Sequence, residues 1–240
     1  MGETEKEQRL LEIVKKAKDE RKKVLIYTTQ TKKRDIQPRI AKLLEINGIK
    51  TAVMYNSITT GKRRGWIEKK TDKIDALICH PRLVALGMNL LEYPVIVFFD
   101  TGYSTYTLRQ ASRRSYRINQ TRKQIDVYYL YTIDTIQQDC LSLMACKNEV
   151  SLMAEGEIQE GGLSIMSNGV DSILSQLAKV INGELKTENP LEVFSRINKL
   201  NNEGKKKPVE EIRKTKTEEI PENIYLPPIR LIEGIQISLF

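Results

Sequence analysis

The side chains with most chemistry to offer lie in Gln110-Ala111-Ser112-Arg113-Arg114-Ser115-Tyr116-Arg117-Ile118-Asn119-Gln120. On a helix Gln110, Arg114 and Arg117 fall at i, i+4 and i+7 and share one face, while Arg109, Arg113 and Tyr116 form a second stripe beside it. Five arginines between Arg109 and Arg122 repel one another, so such a helix makes most sense when it faces anions. A forked, permanently charged guanidinium matches phosphate oxygens in a way that lysine does not. The charges alone leave a second reading open, a basic helix that simply faces water. Two further basic groups follow expected strands: Lys32, Lys33 and Arg34 after the first, and Lys62, Arg63 and Arg64 after the second. In an open parallel sheet both groups belong to one rim, where contact with backbone phosphates is expected.

The elements that must position these groups follow from hydrophobic period. Glu5 to Lys18 places Leu10, Leu11, Ile13, Val14 and Ala17 at helical spacing. Val24 to Tyr27 is apolar on both faces, as in a parallel sheet covered by helices on each side. Asp35 to Ile46 reads as a helix stopped by Asn47-Gly48. Strands are then expected at Thr51 to Tyr55, Ala76 to Cys79, Pro94 to Phe99 and Ile125 to Tyr131. Helices are expected at Gly61 to Lys70, Tyr106 to Arg117 and Thr135 to Met153. This alternation predicts an α/β fold with a doubly wound, mostly parallel sheet over residues 1–155. A helical extension over 156–203 follows, with helices at Val170 to Ile181 and Leu191 to Asn201, and then a charged, proline-containing tail over 204–240, expected to be flexible.

Composition excludes several classes. In 240 residues, 40% apolar and 29% charged, no apolar run approaches the roughly 20 residues of a membrane span. Three cysteines without a C-x-x-C pair, and a single histidine, His80, do not make a structural zinc site, and the thiols are expected to be reduced. A net charge of +8 favours polyanionic partners. Met1 to Arg9 carries no apolar stretch of the secretory kind, so a cytoplasmic location is expected.

Gln110-x-x-x-Arg114-x-x-Arg117-Ile118-x-Gln120 resembles motif VI of superfamily two helicases, in the Q-x-x-x-R-x-x-R-I-G-Q form of Swi/Snf-type DNA translocases. Val24 to Thr31 resembles the strand of motif IV, Asn56 to Ile67 the block that follows it, and Gly87-Met88-Asn89-Leu90 the G-x-N-L ending of motif V. Asp100 stands at the family's usual distance before the motif VI glutamine. The resemblance covers roughly Arg21 to Asn148 and implies the second, C-terminal RecA-like lobe of a two-lobed motor. It implies Arg117 as the main arginine finger, Arg114 as its partner, and Gln110, Gly87 and Asn89 at the nucleotide. The cofactor would be ATP with Mg²⁺, shared with an N-terminal helicase lobe. DNA is the implied track, with RNA possible, and Lys32, Lys33, Arg34, Lys62, Arg63, Arg64 and Arg82 would contact it.

Two departures from that pattern stand out. His80-Pro81-Arg82-Leu83-Val84-Ala85 occupies the place of S-T-R-A-G-G in motif V, and Asn119 replaces a glycine in motif VI. A phosphate loop, G-x-x-x-x-G-K-[ST], is absent from the sequence, so this chain by itself is not expected to hydrolyse ATP. The alternative function is a non-enzymatic, helicase-derived module that binds nucleic acid or a sliding clamp. Gln236-Ile237-Ser238-Leu239-Phe240 is similar to the Q-L-[SD]-L-F peptide that binds bacterial sliding clamps, with Gln236, Leu239 and Phe240 as the contact residues; the other reading is that these residues dock on the domain itself.

Overall fold

The computed structural model describes residues 3–31, 34–84, 88, 90–100, 102, 104, 107, 111, 115, 125–154, 173–203, 231–232 and 236–238. Helix α1 (Glu5–Asp19) leads into β1 (Val24–Tyr27), then α2 (Gln37–Ile46), β2 (Thr51–Met54), α3 (Thr60–Thr71) and β3 (Ala76–Cys79). The short α4 (Pro81–Val84), β4 (Val95–Phe98), β5 (Asp126–Leu130) and the long α5 (Ile136–Ala154) follow. Beyond them lie α6 (Ile173–Ile181), α7 (Pro190–Glu203), β6 (Leu231–Ile232) and β7 (Gln236–Ser238). No helix among the described residues is long and apolar enough to cross a membrane.

Strands β1 to β5 are parallel, in the order β2-β3-β1-β4-β5. Their amino ends are level, Val24 pairing with both Ala76 and Val95, and Thr51 with Ala76. Because β1, β3, β4 and β5 are buried along their whole length, they carry apolar residues toward both faces. On one face Val24, Ile26, Ile78 and Val97 meet Leu10, Val14, Ile40 and Leu44 of α1 and α2. On the other, Leu25, Leu77, Phe98 and Tyr129 meet Ile67 of α3, Leu141 and Met144 of α5, and Leu177, Val193, Phe194 and Ile197 of the helical extension. An aromatic file runs through that second core: Tyr27 to Phe98 at 4.9 Å between ring centroids, Phe98 stacked on Tyr129 at 4.7 Å, and Tyr129 on Phe194 at 6.1 Å. Helix α7 thus reaches the sheet directly.

The two helices of the first face are tied together by one carboxylate. Glu7 closes a capping box at the start of α1, accepting from Thr4 N at 2.8 Å while Thr4 Oγ1 accepts from Glu7 N at 3.3 Å. It also accepts from Arg39 Nη2 of α2 at 2.8 Å. The Arg39 guanidinium beside it holds this buried carboxyl down at about 2, against 4.5 ordinarily, burial opposing. Its folded-state value is depressed, so its contribution to stability is present above about 4.5 and is lost as the pH falls toward 2. Chemical denaturation between pH 2 and 6 should show wild type ahead of Glu7→Gln at neutral pH, with the gap closing as the acid end is approached. A constant gap would remove the ion pair from the account.

At its C-terminus α1 ends on Arg21 in a left-handed conformation, φ 54°, with Arg21 N donating to Lys18 O and Lys22 N to Ala17 O at 2.9 and 2.8 Å. Glycine usually holds this position, and an L side chain there costs about 1–2 kcal/mol.

The expected strands and helices that lie among the described residues are present, with β1 and β3 at their expected bounds and other ends moved by one to three residues, and the short α4 is added. The expected helix at Tyr106 to Arg117 lies almost entirely outside the described residues. One departure is topological. Within the expected tail the described residues are the strands β6 and β7, and β7 pairs antiparallel with β5, Ser238 opposite Tyr128 and Gln236 opposite Leu130. The outer edge of β5 offers backbone N–H and C=O groups that call for partners, and a short alternating segment satisfies them. Averaging apolar content over the whole tail concealed that segment.

Candidate functional site at the carboxyl rim

The parallel strands also finish level, Tyr27 opposite Cys79 and Phe98, and Phe98 opposite Tyr129, so the residues just beyond them converge on one rim. Asp100 organises its centre. Its Oδ1 accepts from the Thr29 amide at 2.8 Å and from the Thr29 hydroxyl. Its Oδ2 is buried and has no hydrogen-bond partner among the described residues. Burial pushes this carboxyl above the ordinary aspartate range, against the pull of the Thr29 hydrogen bonds and the Lys6 charge.

Around Asp100 the rim is closely filled. Lys6 comes from the first turn of α1, donates to Gln137 Oε1 at 2.9 Å and lies 4.9 Å from the Phe99 ring centroid. Burial lowers its ammonium to about 8, with Asp100 opposing. His80 follows β3 and its Nδ1 accepts from Arg82 N at 3.1 Å. Burial first and the Arg82 charge second lower its imidazole, with Asp100 opposing. At Gly102, φ +61°, a Cβ would come 3.2 Å from Thr29 Cγ2, so both the backbone angle and the space call for glycine. Behind Thr29, buried Gln37 donates to Thr28 Oγ1 at 3.1 Å.

The segment with the arginines is anchored to this rim at two described points. Tyr27 at the end of β1 donates its hydroxyl to Ala111 O at 3.3 Å. Ala111 and Ser115, four residues apart, are both fully buried. Gln110, Arg114 and Arg117 themselves lie outside the described residues, as do Gly87, Asn89, Lys32, Lys33, Leu239 and Phe240.

The described basic residues of the rim fall into two kinds. Arg34, Lys62 and Arg82 are exposed, as is Arg64, which pairs with Glu68 at 2.9 Å. Arg63 is turned inward: its Nε donates to Ile58 O at 3.0 Å, Nη1 to Leu83 O at 3.3 Å and Nη2 to Asn56 Oδ1 at 3.4 Å. It fastens the loop after β2 to α4, a structural task that its place in a run of three cations conceals. Trp66 packs against the core, in line with its helical spacing. The sequence reading missed Lys6, Thr29 and Gly102; a hydroxyl just past a buried strand, facing an acid past the neighbouring strand, was the available signal for Thr29.

Residues 5–119 match the helicase conserved C-terminal domain. The chain carries the C-terminal RecA-like lobe of a Swi/Snf-like helicase. The lobe is 28% identical over 170 residues to the chromatin-remodeling ATPase INO80 of Saccharomyces cerevisiae, covering 70% of this chain and 11% of that protein. It is 31% identical over 121 residues to the helicase swr1 of Schizosaccharomyces pombe, covering 50% of this chain and 9% of that protein. The chain thus spans about a tenth of the length of these relatives. Its fold is similar to the C-terminal part of the Fun30 ATPase domain, with a TM-score of 0.56 at 19% identity, over 76% of this chain and 56% of that one.

Two expectations change. The cytoplasmic placement is overturned, because the relatives include chromatin-remodeling ATPases, and chromatin is nuclear; the composition of Met1 to Arg9, on which that placement rested, does not separate the two compartments. The sliding-clamp reading also fails to find support. It needs Gln236 in a free peptide, whereas the helicase lobe holds Gln236 in a strand opposite Leu130.

Proposed function

We infer that this lobe is the second half of an ATP-dependent DNA translocase, and that it lends Arg114 and Arg117 to a nucleotide held by an N-terminal phosphate-loop lobe. The observation that carries the reading is the burial of Ala111 and Ser115 beneath a rim to which Tyr27 ties the chain. Read as a sequence pattern, Gln110-x-x-x-Arg114-x-x-Arg117 keeps both buried residues off the stripe that carries the two arginines.

Bound ATP with Mg²⁺ would supply a phosphoanhydride bond whose cleavage builds negative charge on the γ-phosphate. Arg117 neutralises that charge, and Arg114 supports it with a second fork. Gln110, Gly87 and Asn89 border the nucleotide, and Gln110 also contacts the opposing lobe. Lys32, Lys33, Arg34, Lys62, Arg64 and Arg82 hold the DNA backbone at the same rim, so that track and fuel meet on one edge of the sheet. The named relatives, chromatin-remodeling ATPases and helicases, support DNA as the track.

The test is reconstitution. Adding this chain to a phosphate-loop lobe from such a relative should produce DNA-stimulated phosphate release that neither part shows alone. Retained duplex binding without stimulated release would favour a binding module instead, in keeping with the loss of the motif V glycines at His80 to Ala85.

A further inference from the structure

The edge of the sheet opposite this rim is also basic. Arg21, Lys22 and Lys23 lead into β1, Lys50 leads into β2, and Lys73 lies in the turn before β3. These segments form one continuous surface. Lys18 Nζ reaches Asp75 at 3.1 Å and Gly48 O at 2.6 Å, Asp75 accepts from Lys50 N at 2.9 Å, and Lys23 Nζ donates to Ile74 O at 3.0 Å.

Part of this charge has an ordinary explanation. Helix C-termini carry about half a negative charge each, which accounts for Lys16 and Lys18 on α1 and for Lys69 and Lys70 on α3. Several acids of the edge are already engaged, Asp75 by Lys18, and Glu20 and Asp126 by Lys22 at 2.6 and 3.5 Å. Asp19, Asp72 and, in the turn before β4, Glu92 are exposed and weaken the field. What remains is Arg21, Lys50 and Lys73, all exposed; among the described residues none is within salt-bridge distance of an acid, and the charge of Lys50 is partly offset by Asp75.

Arg21 is the informative one. It occupies a left-handed position, φ 54°, where glycine would end the helix without strain. A long cationic side chain kept at a strained position points to a use for that side chain. We propose that this amino-end edge is a second DNA surface, gripping the sugar-phosphate backbone of a duplex through Arg21, Lys50 and Lys73, apart from the carboxyl rim. No exposed aromatic ring stands beside these three among the described residues, so the mode is phosphate contact to a duplex rather than stacking on single-stranded bases. Neither ATP nor a partner lobe is needed for it.

The experiment uses the full chain and a labelled duplex of about 20 base pairs, followed by fluorescence anisotropy across a salt series. The background carries Arg34→Gln, Lys62→Gln, Arg64→Gln and Arg82→Gln, which removes the exposed described cations of the carboxyl rim and leaves the half-buried Lys6 and Arg63 in place. Adding Arg21→Gly, Lys50→Gln and Lys73→Gln should lower the slope of log affinity against log salt by about 2.7. At about 0.15 M salt the same change should weaken binding roughly 100-fold. Arg21→Gly alone should raise the melting temperature yet weaken the duplex, whereas a residue with only a structural role would move stability and leave binding alone. The proposal is overturned if slope and affinity are unchanged, if Arg21→Gly raises the melting temperature without loss of binding, or if the background alone abolishes binding. Because no arm uses ATP, its outcome is independent of whether the reconstituted motor turns over.

Discussion

If the proposed role holds, replacing Arg117 with alanine should lower ATP turnover of the reconstituted motor by a factor of about 10³ to 10⁵. That range is what an arginine finger contributes to phosphoryl transfer, and at about 1.36 kcal/mol per tenfold it corresponds to roughly 4 to 7 kcal/mol of transition-state stabilisation. The loss should appear in kcat, because the charge that Arg117 meets develops only as the phosphoanhydride breaks. Arg117→Lys should recover little, since an ammonium lacks the fork and the reach of a guanidinium. Duplex affinity measured without nucleotide should stay close to wild type. Turnover within a few-fold of wild type would exclude Arg117 from the nucleotide and leave the solvated basic helix as the better description.

The second large effect concerns stability. Phe194 is 1% exposed, and its ring lies 6.1 Å from that of Tyr129, which stacks on Phe98 in the neighbouring strand. Phe194→Ala empties the end of that file and should cost about 3–5 kcal/mol. Urea unfolding should show the midpoint falling while the slope stays constant, as expected when helices 173–203 and the sheet unfold together. A loss below about 1 kcal/mol would mean that the extension contributes little to the core. Polar ties across α5 and α7 reinforce the packing: buried Glu149 accepts from Arg196 Nε and Nη2 at 2.6 and 2.9 Å, and Ser142 donates to Glu188 O at 2.6 Å.

The parallel sheet was readable from sequence because β1, β3 and β4 are four-residue apolar runs, β5 adds Val127 to Leu130 after Asp126, and α1 and α2 keep their apolar residues at helical spacing. The site was readable in part. Asp100 announced itself at a strand end, but its partner Thr29 did not, because a hydroxyl carries no periodic signal and their hydrogen bond spans 71 residues of chain. Arg63 looked equivalent to Lys62 and Arg64, and only the positions of Ile58 O and Leu83 O distinguish it. Docking on the domain was one of the two readings that Gln236-Ile237-Ser238 left open, and only the pairing with β5, far away in the chain, decides between them.

That last pairing bears on how the lobe keeps itself apart from its own copies. With Gln236–Ser238 laid along β5, the longest strand of the sheet is shielded on its outward side, and the exposed margin passes to the two residues of β6. So short a margin is a poor template for another molecule's backbone. A preparation trimmed after Glu203 would uncover the backbone edge of β5 at Tyr128, Tyr129 and Leu130, and such a sample invites self-association in the tube whatever its motor activity.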